Sequence, residues 1–252
     1  MINICIYQDE PSSSLSIDQV SHFLNPLNIN AEDRGNLFDY LGIDSRKRIE
    51  IAEYFDSIKI MDIESPLDNT GFPGELITSS DKSAPIRDKF YDAYWFQRKI
   101  YSLLYSHNSD EINDKYLHIV ITGKLFGTFG TRRYHARVLL TGEPCLLSTS
   151  GIVEAPARPR EYYFAKAKFL AEGRDISGLD EIFEDRFVDY NSPKITDITC
   201  SYILQLIKYS YTGEPFCSSN KCCLYNSHWQ EEVLKLQYKK ELCMECREIL
   251  KI

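Results

Sequence analysis

The amino-acid sequence predicts one mixed α/β domain that ends in a Cys₄ zinc module. Apolar runs at residues 2–7 and 117–122 are typical of buried strands, and apolar residues at helical spacing fill residues 86–106 and 195–211. Four cysteines stand in two short-range pairs near the C-terminus. With 252 residues, of which 43% are hydrophobic, the chain is long enough to bury a substantial core.

The N-terminal part reads as strands alternating with helices. After the first strand, residues 16–24 carry apolar side chains every three or four positions behind a Ser and Asp start, which predicts a helix. Residues 29–33 are expected to form a second strand that Gly35 ends, and residues 45–57 a helix. Residues 61–83 are rich in Pro, Gly, Ser and Asp, so a loop-rich insertion is expected there.

The middle of the chain is expected to be rich in strands. An aromatic helix at residues 86–106 leads to the strand at 117–122 and then to a glycine-dotted loop at 123–131. This loop lacks the G-x-x-x-x-G-K-[ST] order of a phosphate-binding loop. Strand-like residues 134–140 and 145–150 flank a Thr-Gly-Glu-Pro turn, which predicts a hairpin.

Helices are expected to dominate the C-terminal part. Two prolines within residues 151–160 predict a rigid extended connector. The elements expected after it are a helix at 160–171, a loop with one helical turn at 173–185, a short strand at 187–190 and helices at 195–211 and 228–241. Thr212 and Gly213, with a proline just beyond, form a helix C-cap signal. The helix at 195–211 carries one apolar stripe, so it and the helix at 86–106 are expected to pack on a mixed sheet.

These elements suggest one domain over residues 1–252. Its expected parts are an N-terminal α/β part at 1–60, the insertion at 61–84, a core at 85–212 and a zinc-binding region at 213–252.

The cysteine spacing near the C-terminus predicts a metal site. Cys217 and Cys222 are separated by four residues, Cys243 and Cys246 by two, and twenty residues lie between the pairs. Four thiolates in two such pairs can close a tetrahedron around one Zn²⁺. A Cys₄ site has no open coordination position, so one structural zinc per chain is expected.

Other interpretations of the same cysteines remain open. The pairs could form two disulfides, or the cysteines could be free core residues, because cysteine is among the most buried residue types. Cys223 is the expected spare thiol, and His228 could replace one of the four sulfurs.

The C-terminal residues resemble the archaemetzincins, zinc peptidases of the metzincin clan. Their pattern is H-E-x-x-H-x-x-G-x-x-H-C, then four residues, C-x-M and a distal C-x-x-C. Aligned on Cys217, this chain matches the distal cysteines, has Leu224 in place of the methionine and places Gly213 on the motif glycine. The chain is also similar to an archaeal family labelled as metallopeptidases. The resemblance is specific over residues 195–252 and weaker over 117–165.

The catalytic half of the archaemetzincin pattern is absent. Leu206, Ser210 and Phe216 stand where the three zinc-binding histidines belong, and Ile207 stands where the catalytic glutamate belongs. The resemblance therefore implies a zincin-like fold with a C-terminal Cys₄ zinc module but no zinc-dependent catalysis, because hydrocarbon side chains cannot bind the metal or accept a proton. Leu206 and Phe216 are expected to pack together in the vacated space.

A different candidate site lies elsewhere in the sequence. His135 follows the glycine-dotted loop, and Glu154, Arg158 and Arg160 project from the predicted connector. Exposed, they could bind a substrate or partner; buried, they would form a structural ion-pair network, which is the commoner use of such arginines. By resemblance to the metzincins, strand 134–140 or 145–150 could also hold an extended peptide by strand addition.

Composition narrows the class of function. A net charge of −8 argues against nucleic-acid binding, and no apolar run is long enough for a transmembrane helix. The N-terminus lacks the features of a secretory signal, so a reducing cytoplasm is expected. The leading hypothesis is an archaeal, catalytically inactive metallopeptidase-like protein that binds a peptide or protein partner. The alternatives are a hydrolase built on His135, Glu154 and Arg158, and a structural subunit of a larger assembly.

Overall fold

The computed structural model describes residues 2–10, 14–67 and 90–252. Two compact units are present, the first made of Met1–Pro11 with Glu32–Gly151, the second of Ser12–Ala31 with Ile152–Ile252. The sequence did not indicate that residues 12–31 belong with the C-terminal half, and the single-domain interpretation stays a prediction. The predicted insertion lies outside the described residues beyond residue 67.

The described residues of the first unit form two β-sheets. Five strands form the larger sheet: β1 (Asn3–Gln8), β2 (Ala31–Asn36), β4 (Tyr116–Thr122), β7 (Leu139–Leu140) and β8 (Cys145–Ser148). Their order is β2-β1-β4-β8-β7, with β4 parallel to β1 and β8, and β7 antiparallel to β8. The smaller sheet consists of β3 (Phe90–Asp92), β5 (Leu125–Gly130) and β6 (Arg133–Arg137), in the order β3-β5-β6. The predicted mixed α/β class is confirmed.

In the part of the first unit that the structure describes, the α-helices before β4 are α2 (Leu37–Tyr40), α3 (Ser45–Ser57) and α4 (Ala93–His107). The α4 helix starts later than the predicted residue 86, because the Asp92 carboxylate accepts the Trp95 N–H and caps the helix, and residues before it form β3. Residues 86–89 of that prediction lie outside the described residues. Phe96 of α4 stacks on Phe55 of α3 with ring centroids 4.5 Å apart, and both belong to the main core.

The glycine-dotted residues 123–131 are predicted to form a loop. This prediction is wrong, because most of them form strand β5. This strand pairs in parallel with β3 and antiparallel with β6. A Cβ atom on Gly127 would lie only 2.5 Å from the Phe90 ring, so the glycine admits an aromatic side chain and does not break the strand. The predicted hairpin of 134–140 with 145–150 is correspondingly wrong in part: β6 pairs with β5, and only the short β7 pairs with β8.

The extended connector predicted for residues 151–160 is also wrong in its first part. Residues Thr149–Glu154 form helix α5, which directly follows β8. A Cβ on Gly151 would lie 2.3 Å from the Arg137 carbonyl oxygen, so this glycine allows close packing within a helix. The prolines come later, at positions 156 and 159, where the chain is no longer helical.

The second unit is helical. Its helices are α1 (Ile17–Leu24), α6 (Arg160–Ala171), α7 (Leu179–Ile182), α8 (Lys194–Thr212), α9 (Gln230–Lys235) and α10 (Met244–Leu250). The helix predicted at 228–241 is shorter than expected, and the strand predicted at 187–190 is absent from the described elements. Helix α8 is the centre of the unit: apart from Asp197, residues 195–208 are buried, so burial is not confined to one stripe. Helices α1 and α10 pack against it.

Glu143, in the turn before β8, is an ionisable group that folding places in an unfavourable position. Its Oε1 atom is buried and has no hydrogen-bond partner in the described residues, and burial raises the pKa of this carboxyl to about 7 from the usual 4.5. The folded state therefore prefers the protonated carboxyl. The stability that this preference provides is complete below about pH 4.5 and is lost as the pH rises through 7.

Replacing Glu143 with glutamine should change how stability depends on pH. At pH 4 the variant and the parent should be equally stable, and at pH 8 the variant should be more stable by roughly 1–2 kcal/mol, after allowance for the partial exposure of the group. Urea unfolding at both pH values measures this. The exposed Glu53→Gln in α3 is the control and should show no such difference. Equal stability of parent and Glu143→Gln at pH 8 would contradict the expectation.

Candidate metal centre

Helix α8 ends a few residues before the first of the four cysteines predicted to bind zinc. Gly213 adopts the left-handed conformation at φ +77° and donates its N–H to the Tyr209 carbonyl at 2.7 Å, which closes the helix. A glycine suits this position because other residues are strained there. The predicted C-cap is confirmed, and the chain turns here towards Cys217.

The structure brings the four predicted cysteines together. The sulfur atoms of Cys217, Cys222, Cys243 and Cys246 all lie within 4.8 Å of one another. The Cys217 and Cys243 sulfurs are 3.7 Å apart, far longer than a disulfide bond of about 2.05 Å. In a tetrahedron with Zn–S bonds of about 2.3 Å the sulfurs would be about 3.8 Å apart. The four thiols therefore fit one Zn²⁺.

Short backbone elements hold each pair of sulfurs. The Cys217 N–H donates to the Leu224 carbonyl at 2.8 Å, and Tyr225 donates to the Cys222 carbonyl at 3.0 Å, so the first pair lies on one tight loop. Cys243 is the N-cap of α10, and Cys246 lies in the first turn of that helix. The first turn of α10 therefore fixes the distance between Cys243 and Cys246, and the two-residue spacing of this pair suits such a turn.

Two buried glutamine side chains support the loop that carries Cys222. Gln205 of α8 and Gln237 each donate to the carbonyls of Cys223 and Tyr225, at distances between 2.8 and 3.4 Å. Both side chains are fully buried. Groups behind a metal ligand orient it and affect metal affinity, so these amides would support a metal ion held by the four thiols. No pattern in the sequence pointed to these two residues, because an isolated glutamine specifies little.

The electrostatics of the four thiols favour a cation among them. The Cys223 thiol and the backbone N–H groups of Cys243 and Leu224 stabilise the Cys222 thiolate and lower its pKa to about 4. Burial raises the pKa of Cys217 and of Cys246, and the negative charge on Cys222 raises both further. A bound divalent ion would remove this repulsion between neighbouring thiolates.

The two alternative ligands are placed outside this group. Cys223 is buried and directs its thiol towards Ser201 and Cys222, in keeping with the expected spare thiol. His228 is exposed, and its backbone N–H donates to a Glu232 carboxylate oxygen at 2.8 Å. Neither residue is part of the four-sulfur group.

The three positions that align with metzincin histidines do not form a donor set. Leu206 is 0% exposed, and the Ser210 hydroxyl donates within the helix to the Ile207 carbonyl at 2.7 Å. Phe216 is 38% exposed. The prediction that Leu206 and Phe216 fill one dry space together is therefore wrong for Phe216, because the turn after Gly213 leaves its ring partly in solvent.

Each of the other candidate residues has a partner of its own. His135 contacts the Gly130 carbonyl at 3.0 Å through Nε2, within the β5–β6 pair. Glu154 accepts a hydrogen bond from the Tyr190 hydroxyl at 2.8 Å, and Glu154 lies on α5, not on an extended connector. Arg158 forms an ion pair with Asp180 and lies over the Tyr162 and Phe187 rings. Arg160 lies over the Trp229 ring, 5.3 Å from its centroid.

A second group of metal-binding residue types lies in the first unit. Cys5, Glu111 and His118 have donor atoms within 4.8 Å of one another. Arg34 donates to both Glu111 carboxylate oxygens, at 2.5 and 3.1 Å, and to the Tyr7 hydroxyl at 2.8 Å. His118 contacts Tyr7 through Nδ1 and the Glu111 carbonyl through Nε2, both at 3.0 Å. With both ring nitrogens engaged and a guanidinium in place, this arrangement is a buried ion-pair network.

The strands predicted to hold a peptide differ in accessibility. Strand β8 lies between β4 and β7, so residues 145–148 do not form a sheet edge. Strand β6 does lie at an edge, but the Tyr134 N–H donates to the Ile63 carbonyl at 2.6 Å. The Tyr134 hydroxyl also accepts the Leu67 N–H at 3.0 Å. Residues 63–67 of the same chain thus use part of this edge, and peptide binding along it stays a prediction.

None of the helices in the described ranges is both long and apolar enough to cross a membrane.

Comparison with known proteins places the chain among metallopeptidase-like sequences. A family model described as "Probable metallopeptidase family (DUF6775)" matches residues 1–252. This match confirms the resemblance to a metallopeptidase family that the sequence indicated. No match was found among curated proteins.

Two solved structures are similar over nearly the whole chain. One is a zinc-dependent peptidase from Methanocorpusculum labreanum, with 13% identity and a TM-score of 0.48, covering 98% of this chain and 100% of that one. The other is an archaemetzincin from Methanopyrus kandleri, with 10% identity and a TM-score of 0.46, covering 99% of this chain and 93% of that one.

Proposed function

The chain belongs to the probable metallopeptidase family DUF6775, and we propose that it is a structural-zinc protein without peptidase activity that binds a peptide or protein partner. The observation that carries the proposal is a contrast within one stretch of chain. The four sulfurs of the structural site converge, whereas Leu206, Ser210 and Phe216 occupy the positions where catalytic zinc ligands would stand.

The proposed zinc has a structural role because of its ligands. Cys217, Cys222, Cys243 and Cys246 would occupy all four positions of a tetrahedral ion, which leaves none for water or substrate. The ion would join the loop after α8 to the start of α10. Its binding energy would then stabilise the folded second unit.

The proposed lack of peptidase activity rests on side-chain chemistry. Hydrolysis by a zinc peptidase needs ligands that leave one position open for water and a base that takes the proton of that water. Leucine and phenylalanine offer no donor atom, and Ile207 cannot accept a proton. The Ser210 hydroxyl donates to a backbone carbonyl and is a poor zinc ligand.

The proposed partner binding is supported by an exposed helix face on α6. Tyr163, Phe164 and Leu170 expose large apolar side chains there, and Phe164 is 75% exposed. Ala167 lies on the same face of the helix and is exposed as well. Apolar residues grouped on a protein surface often mark an interaction site. A partner that covers this face would bury them.

One preparation tests both halves of the proposal. Elemental analysis of protein purified without chelator should show one zinc per chain, and none would overturn the zinc assignment. The same protein, immobilised in native lysate, should retain a partner that Phe164→Asp no longer retains. The exposed Ile49→Asp in α3 is the matched control and should retain it. Equal retention by Phe164→Asp would contradict partner binding at α6.

A further inference from the structure

Lys208 is a buried lysine at the end of helix α8 whose partners are backbone carbonyls. The residue is 7% exposed. Its Nζ atom donates to the Glu214 carbonyl at 2.7 Å and to the Phe216 carbonyl at 3.0 Å. A buried ammonium is costly unless it is hydrogen-bonded, so these two contacts must form for the side chain to stay inside.

The position of Lys208 in the helix favours a positive charge. It lies close to the C-terminus of α8, which ends at Thr212, where the helix dipole and the unpaired carbonyl groups attract cations. The carbonyls of residues 214 and 216 come from the chain after the helix, so the ammonium joins the helix end to the turn that follows.

Further hydrogen bonds fix the same turn. The Thr212 hydroxyl lies within hydrogen-bond distance of the carbonyls of Lys208 and Glu214, at 2.9 and 3.0 Å, and accepts the Glu214 N–H at 3.2 Å. Residues 212–216 are therefore tied to the last turns of α8 through both Lys208 and Thr212. The residue that comes next is Cys217, the first of the four cysteines.

We propose that Lys208 is a positioning residue for the zinc site. This inference rests on the proposed function, because it assumes that Cys217 binds zinc. The ammonium holds the peptide group before Cys217 through the Phe216 carbonyl, so the Cys217 sulfur is held near the other three sulfurs before the metal binds. Less ordering is then needed on zinc binding, and pre-organised ligands bind more tightly.

Zinc affinity separates this role from a general structural one. If Lys208 only stabilised α8, its replacement would destabilise the zinc-free and zinc-bound forms equally, and the affinity would not change. If Lys208 positions Cys217, its replacement lowers the affinity. Changes to groups that orient metal ligands typically weaken metal binding about 10- to 100-fold.

The test is competition for zinc between the full chain and a chromophoric chelator. Lys208→Met keeps the length of the side chain without the charge and should bind zinc about 10- to 100-fold more weakly than the parent. Lys208→Gln keeps one N–H donor group, so its zinc affinity should lie between those of the parent and of Lys208→Met. The control is Lys235→Met, which changes an exposed lysine in the last turn of α9 and should keep the parent affinity.

The results distinguish this inference from the function on which it rests. A parent protein that binds no zinc would overturn the proposed function itself. A parent that binds zinc, together with Lys208→Met or Lys208→Gln of equal affinity, would overturn only the role of Lys208. If Lys208→Met does not fold, the affinity of Lys208→Gln decides the question.

Discussion

Replacing Cys243 with serine is expected to abolish stoichiometric zinc binding and to lower the melting temperature by about 10 °C or more. A structural zinc contributes roughly 10–16 kcal/mol to the folding of small zinc-finger peptides. In a chain of this size each 1 kcal/mol shifts the melting temperature by about 2–4 °C, so loss of a third of that energy already gives the expected change. Zinc analysis and thermal unfolding of the same samples measure both effects.

Cys5→Ser is the control for this substitution. The Cys5 thiol is buried in the first unit, 3.9 Å from a Glu32 carboxylate oxygen, and is not one of the four converging cysteines. Its replacement should leave zinc content unchanged and cost far less stability. A chelator should lower the melting temperature of the parent and of Cys5→Ser but not that of Cys243→Ser. Equal losses in the two variants, with zinc still bound, would contradict the assignment.

The convergence of the four cysteines could be predicted from the sequence because each pair is local. Each pair of cysteines lies within one loop or one helical turn, so the spacing itself brings two sulfurs together. The end of α8 was equally predictable, because Gly213 supplies the conformation that closes a helix. Gln205, Gln237 and Lys208 could not be assigned from the sequence, because their role depends on which backbone carbonyls the folded chain brings to them.

Two errors in the predicted fold concern stretches that contain a glycine with a packing role. The glycines of residues 123–131 predict a loop and the prolines of residues 151–160 predict an extended connector, whereas Gly127 lies in strand β5 and Gly151 in helix α5. In each case a Cβ atom would collide with a group from another element, the Phe90 ring or the Arg137 carbonyl. A glycine can end a secondary-structure element or can leave room for a side chain or backbone from another element. Tertiary packing decides between the two, and a local sequence pattern carries no information about it.

The buried network around Arg34 shows that a local sequence pattern also does not reveal which polar groups will meet in the folded chain. Arg34 and Glu111 are 77 positions apart, and Tyr7 and His118 are 111 apart. The parallel pairing of β1 with β4 places Cys5 beside His118, and that register cannot be inferred from either segment alone. Isolated charged residues in the sequence therefore gave no sign that they would meet inside the first unit.

Single histidines at the positions that align with the metzincin histidines should have unequal effects on stability. Leu206→His places an imidazole where the side chain is 0% exposed and should cost roughly 3 kcal/mol, from lost packing and an unsatisfied polar group. Phe216→His, at a position that is 38% exposed, is the matched control and should cost less than about 1 kcal/mol. Urea unfolding measures both. Similar costs at the two positions would contradict the burial that the structure gives them.

The zinc-loaded parent protein should not cleave unstructured peptides, and neither histidine variant should gain this activity. One histidine supplies one ligand, whereas a catalytic zinc requires three ligands, an open position for water and a base to replace Ile207. Casein incubated with each protein, with and without chelator, provides the assay, and zinc content should remain one per chain. Chelator-sensitive cleavage by the parent, or a second tightly bound zinc that Ser210→Ala removes, would show that this helix end still holds a catalytic metal.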